Sequence, residues 1–241
     1  HGAHQPLHAP ARDAEKAQRA GLEHQTVQLD RPRLVGHAGL VGRGEPREHR
    51  GMAAAGMAAA GKHFPGRGDS AVDVHHDVDV NRAGRQRLWD LELAPFRALI
   101  AEGLPCVMIG HSIYPALDPS ERPASVSRPI VTDLLRNEMG FTGVITTDAM
   151  GMKGVMALFK SYGEACAEAL AAGNDLILSK CDATKRDEVI TCCLGYVKEG
   201  RIRESELDAH VRRILSMKWD YGLFVAPFVD PDNAIAPIRS G

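Results

Sequence analysis

The 241-residue sequence predicts an α/β fold of the (β/α) barrel type. Three observations carry that expectation. From about residue 50 onward, short runs of strand formers alternate with longer amphipathic segments, the pattern of a parallel sheet with right-handed crossovers. The run Gly143-Val144-Ile145-Thr146-Thr147 ends directly on Asp148. A carboxylate at the carboxyl end of a strand, followed by a helix, is where barrel enzymes keep their chemistry. Finally, Gly61-Lys62-His63-Phe64-Pro65-Gly66-Arg67-Gly68 reads as a strand end opening into a loop, because Pro and Gly forbid both helix and regular strand there.

Taken in order, Met52 to Ala60 reads as a helix end running into a strand that reaches Lys62-His63. Leu88 to Glu102 is expected to be a helix stopped by Gly103, with Leu88, Leu91, Phe96, Leu99 and Ile100 on its buried face. Pro105 to Ile109 is a short apolar strand of the buried parallel type. Ser127 and Pro129 start the next helix, whose core face is Ile130, Leu134, Leu135 and Met139, and Gly140 ends it. Gly143 to Thr147 is a strand and Tyr162 to Ala172 a helix with Gly173 as its stop. Asp175 to Leu178 reads as another buried strand, and Thr184 to Glu199 as a helix. Ser205 caps a last helix with Leu207, Val211, Ile214, Leu215 and Trp219 facing the core, and Pro227 onward is a tail. Only four strands are readable, whereas a closed barrel needs eight. Such a sheet leaves two open edges and a bare core face.

Composition excludes several classes of function. The formal net charge is −2, which predicts no nucleic-acid or membrane-surface footprint. No apolar run reaches the roughly 18 residues of a membrane span, and no signal peptide is visible. The five cysteines include no C-x-x-C pair, so free thiols in a reducing, cytoplasmic compartment are expected. Residues 1–49 differ from the rest. They lack Phe, Trp, Tyr, Ile, Met, Ser, Asn and Cys, and they hold six of the eleven histidines. The chain starts with His rather than Met, so a fragment is expected. The preferred reading of 1–49 is a segment translated out of frame from a GC-rich gene, with a disordered arm as the alternative and a histidine-rich metal arm as a third. The expected organisation is then 1–49 atypical, 50–230 the folded domain and 231–241 a tail.

The chemistry-bearing residues cluster. Asp69, Asp73, His75, His76 and Asp77 put two histidines and three acids within nine residues of one loop. Polar loops on a rigid scaffold are where active sites sit, although a solvated charged loop gives the same pattern. Asp148, a carboxylate at the carboxyl end of a strand, is a candidate catalytic residue; a helix N-cap is the alternative role. His111, at the end of the Val107-Met108 strand, points to the same rim, either lining a pocket or packed as a core histidine. A metal site built from His63, His75, His76, His111 and Asp148 has no helical His spacing to support it, so no metal and no cofactor are expected.

These stretches resemble the glycoside hydrolase family 3 β-N-acetylglucosaminidases. The resemblance rests on Lys62 to Gly68, on Asp73-Val74-His75, and on Thr147-Asp148-Ala149-Met150. It extends to Val107-Met108-Ile109-Gly110-His111-Ser112-Ile113-Tyr114-Pro115 with Leu117-Asp118-Pro119, and to Pro123-Ala124-Ser125. It covers about residues 50 to 230, in matching order and spacing. What it implies is a (β/α)8 barrel of which this chain carries the C-terminal half, strands five to eight. It also implies a retaining exo-glycosidase acting on terminal β-linked N-acetylglucosamine, with cell-wall peptidoglycan fragments as the expected source. Asp148 takes the nucleophile's place. Asp73 and His75 take that of an acid/base pair in which the imidazole moves the proton and the aspartate orients it. Lys62 and His63 resemble the sugar-binding pair, and Arg67, His111 and Met150 join them as candidate substrate contacts. The expected partner is a small carbohydrate. Arg67 stands where the family commonly has a second His, Val74 where it has Ser, and Asp79-Val80 where Leu-Pro is common. Phosphate rather than water as acceptor, a β-glucosidase, and a non-catalytic remnant of such an enzyme are the competing readings.

Overall fold

The computed structural model describes residues 38–41, 46–68, 79–225 and 228. Asp73, His75 and the acidic residues around them lie outside the described residues, as do 1–37 and the tail at 231–241. The sheet has four parallel strands in sequential order: β1 (Ala38–Val41), β2 (Ala59–Phe64), β3 (Cys106–Ile109) and β4 (Val144–Thr147). Helix α1 (Pro46–Ala54) joins β1 to β2. Helix α2 (Ala94–Ala101) joins β2 to β3, and α3 (Pro129–Glu138), which is of π type, joins β3 to β4. After β4 come α4 (Lys153–Met156), α5 (Tyr162–Ala172), α6 (Ala183–Lys198) and α7 (Glu204–Asp220). Each strand-to-strand connection runs through a helix, as parallel pairing requires.

The sheet has four strands, but not the four expected. β1 pairs in parallel with β2, Ala38 opposite Ala59 and Val41 opposite Lys62. It falls inside the segment expected to be atypical, and α1 crosses the boundary expected at residue 50. Four small or aliphatic residues, Ala-Gly-Leu-Val, are too short a run to stand out as a strand before the partner is known. At the other edge, Asp175 to Leu178 forms no extended strand. It touches β4 through a single parallel bridge between Thr146 and Leu176. Nor are its leucines buried: Leu176 and Leu178 are each 43% exposed, and within the run only Asp175 is buried.

The core lies between the sheet and helices α2 and α3. Phe64, Val107, Ile109 and Ile145 from the strands meet Phe96, Leu99, Ile130 and Leu135 from the helices, with Phe64 edge-on to Phe96 at 5.1 Å. Two expectations about helix faces change here. Leu91 is 59% exposed and Leu93 is fully buried in its place. The cause is a turn of π-helix at Leu88–Glu92, closed by the Leu93 amide donating to the Leu88 carbonyl at 2.8 Å. One extra residue in the turn rotates everything after it by roughly 100°. On α7, Val211, Leu215 and Trp219 are exposed and only His210 is buried. The helix begins at Glu204, and Glu206 accepts from the Arg203 amide ahead of it. Its polar side faces inward because Asp175 lies there. The fully buried Asp175 carboxylate accepts from Arg136, from Arg213, from His210 Nδ1 at 2.7 Å and from the Ile145 amide at 2.8 Å.

α5 and its stop are as expected. Ser161 Oγ accepts from the Glu164 amide at the start of the helix, and Gly173 closes it at φ 112°, a left-handed conformation that favours glycine. A second apolar cluster, Met150, Val155, Tyr162 and Cys166 among it, packs α5 under the residues that follow β4.

Candidate active site

The carboxyl ends of β2, β3 and β4 bring the site together. β4 is buried along its whole length, and the chain leaves it at Asp148. The Asp148 amide donates to the Ile109 carbonyl at 2.8 Å, tying the ends of β3 and β4 to each other. Asp148 Oδ1 accepts from the Ala149 amide at 2.7 Å. Oδ2 faces His63 Nε2 at 3.4 Å. His63 comes from the penultimate position of β2, where the register against β3 shifts between Gly61, which faces Leu104 and Phe96 in the core, and Phe64.

A small cavity opens over Asp148. It is lined by His63, Arg67, His111, Ser112, Tyr114 and Met152, with Gly110 at its floor. The approach at Gly110 is close: a Cβ there would sit 3.2 Å from the Cβ of His63. The peptide bonds Lys62-His63, within β2, and Phe64-Pro65, at its end, are cis, and the chain then turns sharply, the Gly66 amide donating to the His63 carbonyl at 2.8 Å. The Tyr114 hydroxyl donates to the Gly66 carbonyl at 2.9 Å, and Asn81 Nδ2 to the Arg67 carbonyl at 3.3 Å. Both bonds fix the turn at Gly66 and Arg67.

The electrostatics separate the two histidines from a simple ion pair with Asp148. Burial lowers the pKa of His63 below its ordinary 6.5; the Asp148 charge pulls it up, and Lys62 and Arg67 push it further down. His111 is lowered too, first by burial, with Asp148 and the bond to Ala149 opposing. Both rings are therefore neutral at neutral pH. The positive charges acting on His63 are those of Lys62 and Arg67.

Of the candidate residues, the structure brings Asp148, His63, His111 and Arg67 together around one cavity. Lys62 is half-buried on β2 beside them. Met150 is fully buried with Val126 and Val155, away from the cavity, and Met152 lines it instead. Tyr114 and Ser112 were not singled out from the sequence, although they stand within the same run as His111. Tyr114 folds back onto the Gly66 carbonyl and Ser112 Oγ donates to Asp79, contacts that no local pattern shows. Among the described residues no three of His, Cys, Asp and Glu are grouped to hold a metal ion, and no helix is long and apolar enough to cross a membrane.

Residues 40–217 match the glycosyl hydrolase family 3 N-terminal domain. The chain belongs to glycosyl hydrolase family 3. It is 37% identical over 144 residues to a β-hexosaminidase of Nitrosomonas eutropha, a match that takes in 58% of this chain and 40% of that protein. Among solved structures it is similar to a family 3 β-N-acetylglucosaminidase from Paenibacillus sp. FPU-7, with a TM-score of 0.69 and 37% identity over 75% of this chain and 34% of that one. A β-glucoside phosphorylase superposes equally well, at a TM-score of 0.69 with 27% identity over 76% of this chain and 34% of that one. The chain is thus homologous to the family's β-hexosaminidases and spans well under half the length of these relatives. The family's domain is a barrel-type fold, of which the described sheet is a part.

Proposed function

We propose that the protein is a retaining exo-glycosidase that removes terminal β-linked N-acetylglucosamine, with peptidoglycan fragments as its source of substrate. The observation that carries the reading is Asp148: a carboxylate at the end of a buried strand, opening into a small cavity with His63, His111 and Arg67 around it. In the first half-reaction the Asp148 carboxylate attacks the anomeric carbon while the bond to the leaving oxygen breaks, and the leaving oxygen takes its proton from His75. In the second, His75 takes a proton from water, the hydroxide displaces Asp148, and the sugar leaves with retained configuration. Asp73 orients the imidazole and stabilises its protonated form. Lys62 and His63 donate hydrogen bonds to sugar hydroxyls, and Arg67 closes the rim.

The test is release of the aryl group from an aryl N-acetyl-β-D-glucosaminide, beside an aryl β-D-glucoside and beside Asp148→Ala. Release from the N-acetyl substrate, lost in the variant, is the expected result. Release equal in the variant and the parent chain would refute the assignment of Asp148, and no release from either would refute turnover by this chain.

A second reading is favoured by the similarity to a β-glucoside phosphorylase. Phosphate would then replace water in the second step, since a neutral imidazole repels phosphate less than a carboxylate would. Formation of a sugar 1-phosphate on adding inorganic phosphate distinguishes the two.

A further inference from the structure

We infer that His111 is a positioning residue for the nucleophile rather than a ligand of the sugar, an inference that rests on the assignment of Asp148 above. The residue is 6% exposed, and both ring nitrogens already have protein partners. Nε2 lies 3.1 Å from the Ala149 carbonyl and Nδ1 lies 2.8 Å from Ser125 Oγ. A carbonyl can only accept, so Nε2 carries the proton. A neutral ring then has only a lone pair at Nδ1, and the Ser125 hydroxyl donates to it. Ser125 is itself fully buried and fixed from both sides. Its amide donates to the Gly110 carbonyl at 3.1 Å, and its carbonyl accepts from Asn174 Nδ2 at 2.8 Å.

The consequence falls on the turn that bears Asp148. The peptide between Ala149 and Met150 is gripped at both ends: His111 holds its carbonyl, and its N–H, on Met150, donates to the Leu178 carbonyl at 3.1 Å. The preceding peptide is held too, with its N–H, on Ala149, donating to Asp148 Oδ1. The backbone on the far side of Asp148 therefore has no freedom to swing, and the carboxylate keeps one aim into the cavity. Holding a nucleophile this way acts on kcat, because a misplacement of about 1 Å costs roughly 100-fold in rate.

The experiment uses the whole chain labelled with 15N. The imidazole signal lost in His111→Gln identifies the residue. The expected pattern at neutral pH is a protonated Nε2 beside an unprotonated Nδ1; the opposite tautomer, or an imidazolium, overturns the inference. In kinetics on the aryl N-acetylglucosaminide, His111→Leu is expected to lower kcat about 100-fold with KM within about twofold, and His111→Gln, which keeps an N–H for the carbonyl, to recover most of the loss. A raised KM with kcat unchanged would make His111 a sugar ligand instead. Should the parent chain show no turnover, the proposed function fails, and the inference is then read on amide exchange. Asp148 and Met150 should exchange about tenfold faster in His111→Leu than in the parent chain and near the parent rate in His111→Gln; equal rates in all three overturn it.

Discussion

Replacing Asp175 by Asn should cost more stability than any other polar substitution in the described structure. The carboxylate is fully buried, and it accepts from Arg136 at 2.8 Å, Arg213 at 2.7 Å, His210 at 2.7 Å and the Ile145 amide at 2.8 Å. Burial alone would raise its pKa; the bonds from His210 and Arg213, the Arg136 charge and the Ile145 amide outweigh that and hold it below the ordinary 3.8. Asn is the same size but carries no charge, and its amide turns two N–H donors toward groups that are all donors. Arg136 and Arg213, only 18% and 25% exposed along their side chains, then lose their counter-charge. Removing one member of a buried pair costs about 3–5 kcal/mol, against a total of about 5–15 kcal/mol for a domain. At a slope of ~2 kcal/mol per M urea, that lowers the unfolding midpoint by about 2 M. The assay is urea unfolding followed by circular dichroism, with Glu138→Gln as the comparison. Its Arg85 partner lies on the surface, so the expected cost is below about 1 kcal/mol. A midpoint shift for Asp175→Asn no larger than that of Glu138→Gln would refute the reasoning. The pH dependence has a fixed sign. Because the folded-state pKa is depressed, the contribution is complete above about 3.8 and is lost as pH falls through the folded value.

The other predictions concern the helix register, one glycine and the two site histidines. Leu93→Ala should cost about 2–5 kcal/mol and Leu91→Ala less than about 1 kcal/mol in the same urea assay; the reverse order would mean that the π turn at Leu88–Glu92 is absent. Gly173→Ala drives a Cβ into Thr132 Oγ1, which donates to the Ala172 carbonyl at 2.7 Å, in a left-handed backbone that disfavours a side chain. A loss of at least about 1 kcal/mol is expected, read as a lowered midpoint. His63 and His111 have pKa values lowered from 6.5, so the unfolded chain takes up protons first as pH falls. Stability should therefore decline from pH 6.5 downward until the folded-state values are reached, and His111→Gln should flatten that decline; an unchanged slope in the variant would count against a neutral, buried His111.

What the sequence made legible follows from the range over which each signal acts. The strand at Gly143 to Thr147, the helix at Tyr162 to Ala172 and its Gly173 stop are written locally, in β-branched residues, a serine cap and a glycine that alone tolerates φ 112°. So is the strand end at Lys62-His63, since Pro65 and Gly66 end any regular structure. The misplacements share a different cause. Leu91 and Leu93 exchange roles because the π turn is a tertiary choice: its single extra residue brings Leu93 under the sheet beside Phe96. The stripe Val211, Leu215 and Trp219 has helical spacing, yet α7 turns its other face inward because a buried carboxylate on a distant segment recruits His210 and Arg213. Hydrophobic periodicity assumes that the apolar face is the buried one, and a buried charge with four donors overrides it.

The candidate site divides along the same line. Asp148 and His63 were readable because each stands at the end of a strand, where direction follows from chain order alone. His111 was readable as a residue of the rim but not in its role, since that depends on Ser125 and on Ala149, fourteen and thirty-eight residues away. The same holds for Tyr114, whose hydroxyl reaches back forty-eight residues to the Gly66 carbonyl. Residues that meet a substrate are named by motif; residues that hold those groups still are named only by the fold. For Asp148 as the proposed nucleophile, the second set decides the rate. A carboxylate free to rotate about its backbone presents the attacking oxygen in the right geometry for only part of the time, and each tenfold loss of that fraction raises the barrier by about 1.4 kcal/mol. The bonds from His111 to Ala149, from Met150 to Leu178 and from Asp148 to Ile109 remove that freedom before any sugar arrives. Two of the three run from backbone to backbone, which leaves His111 as the place where substitution can loosen the proposed nucleophile without touching it.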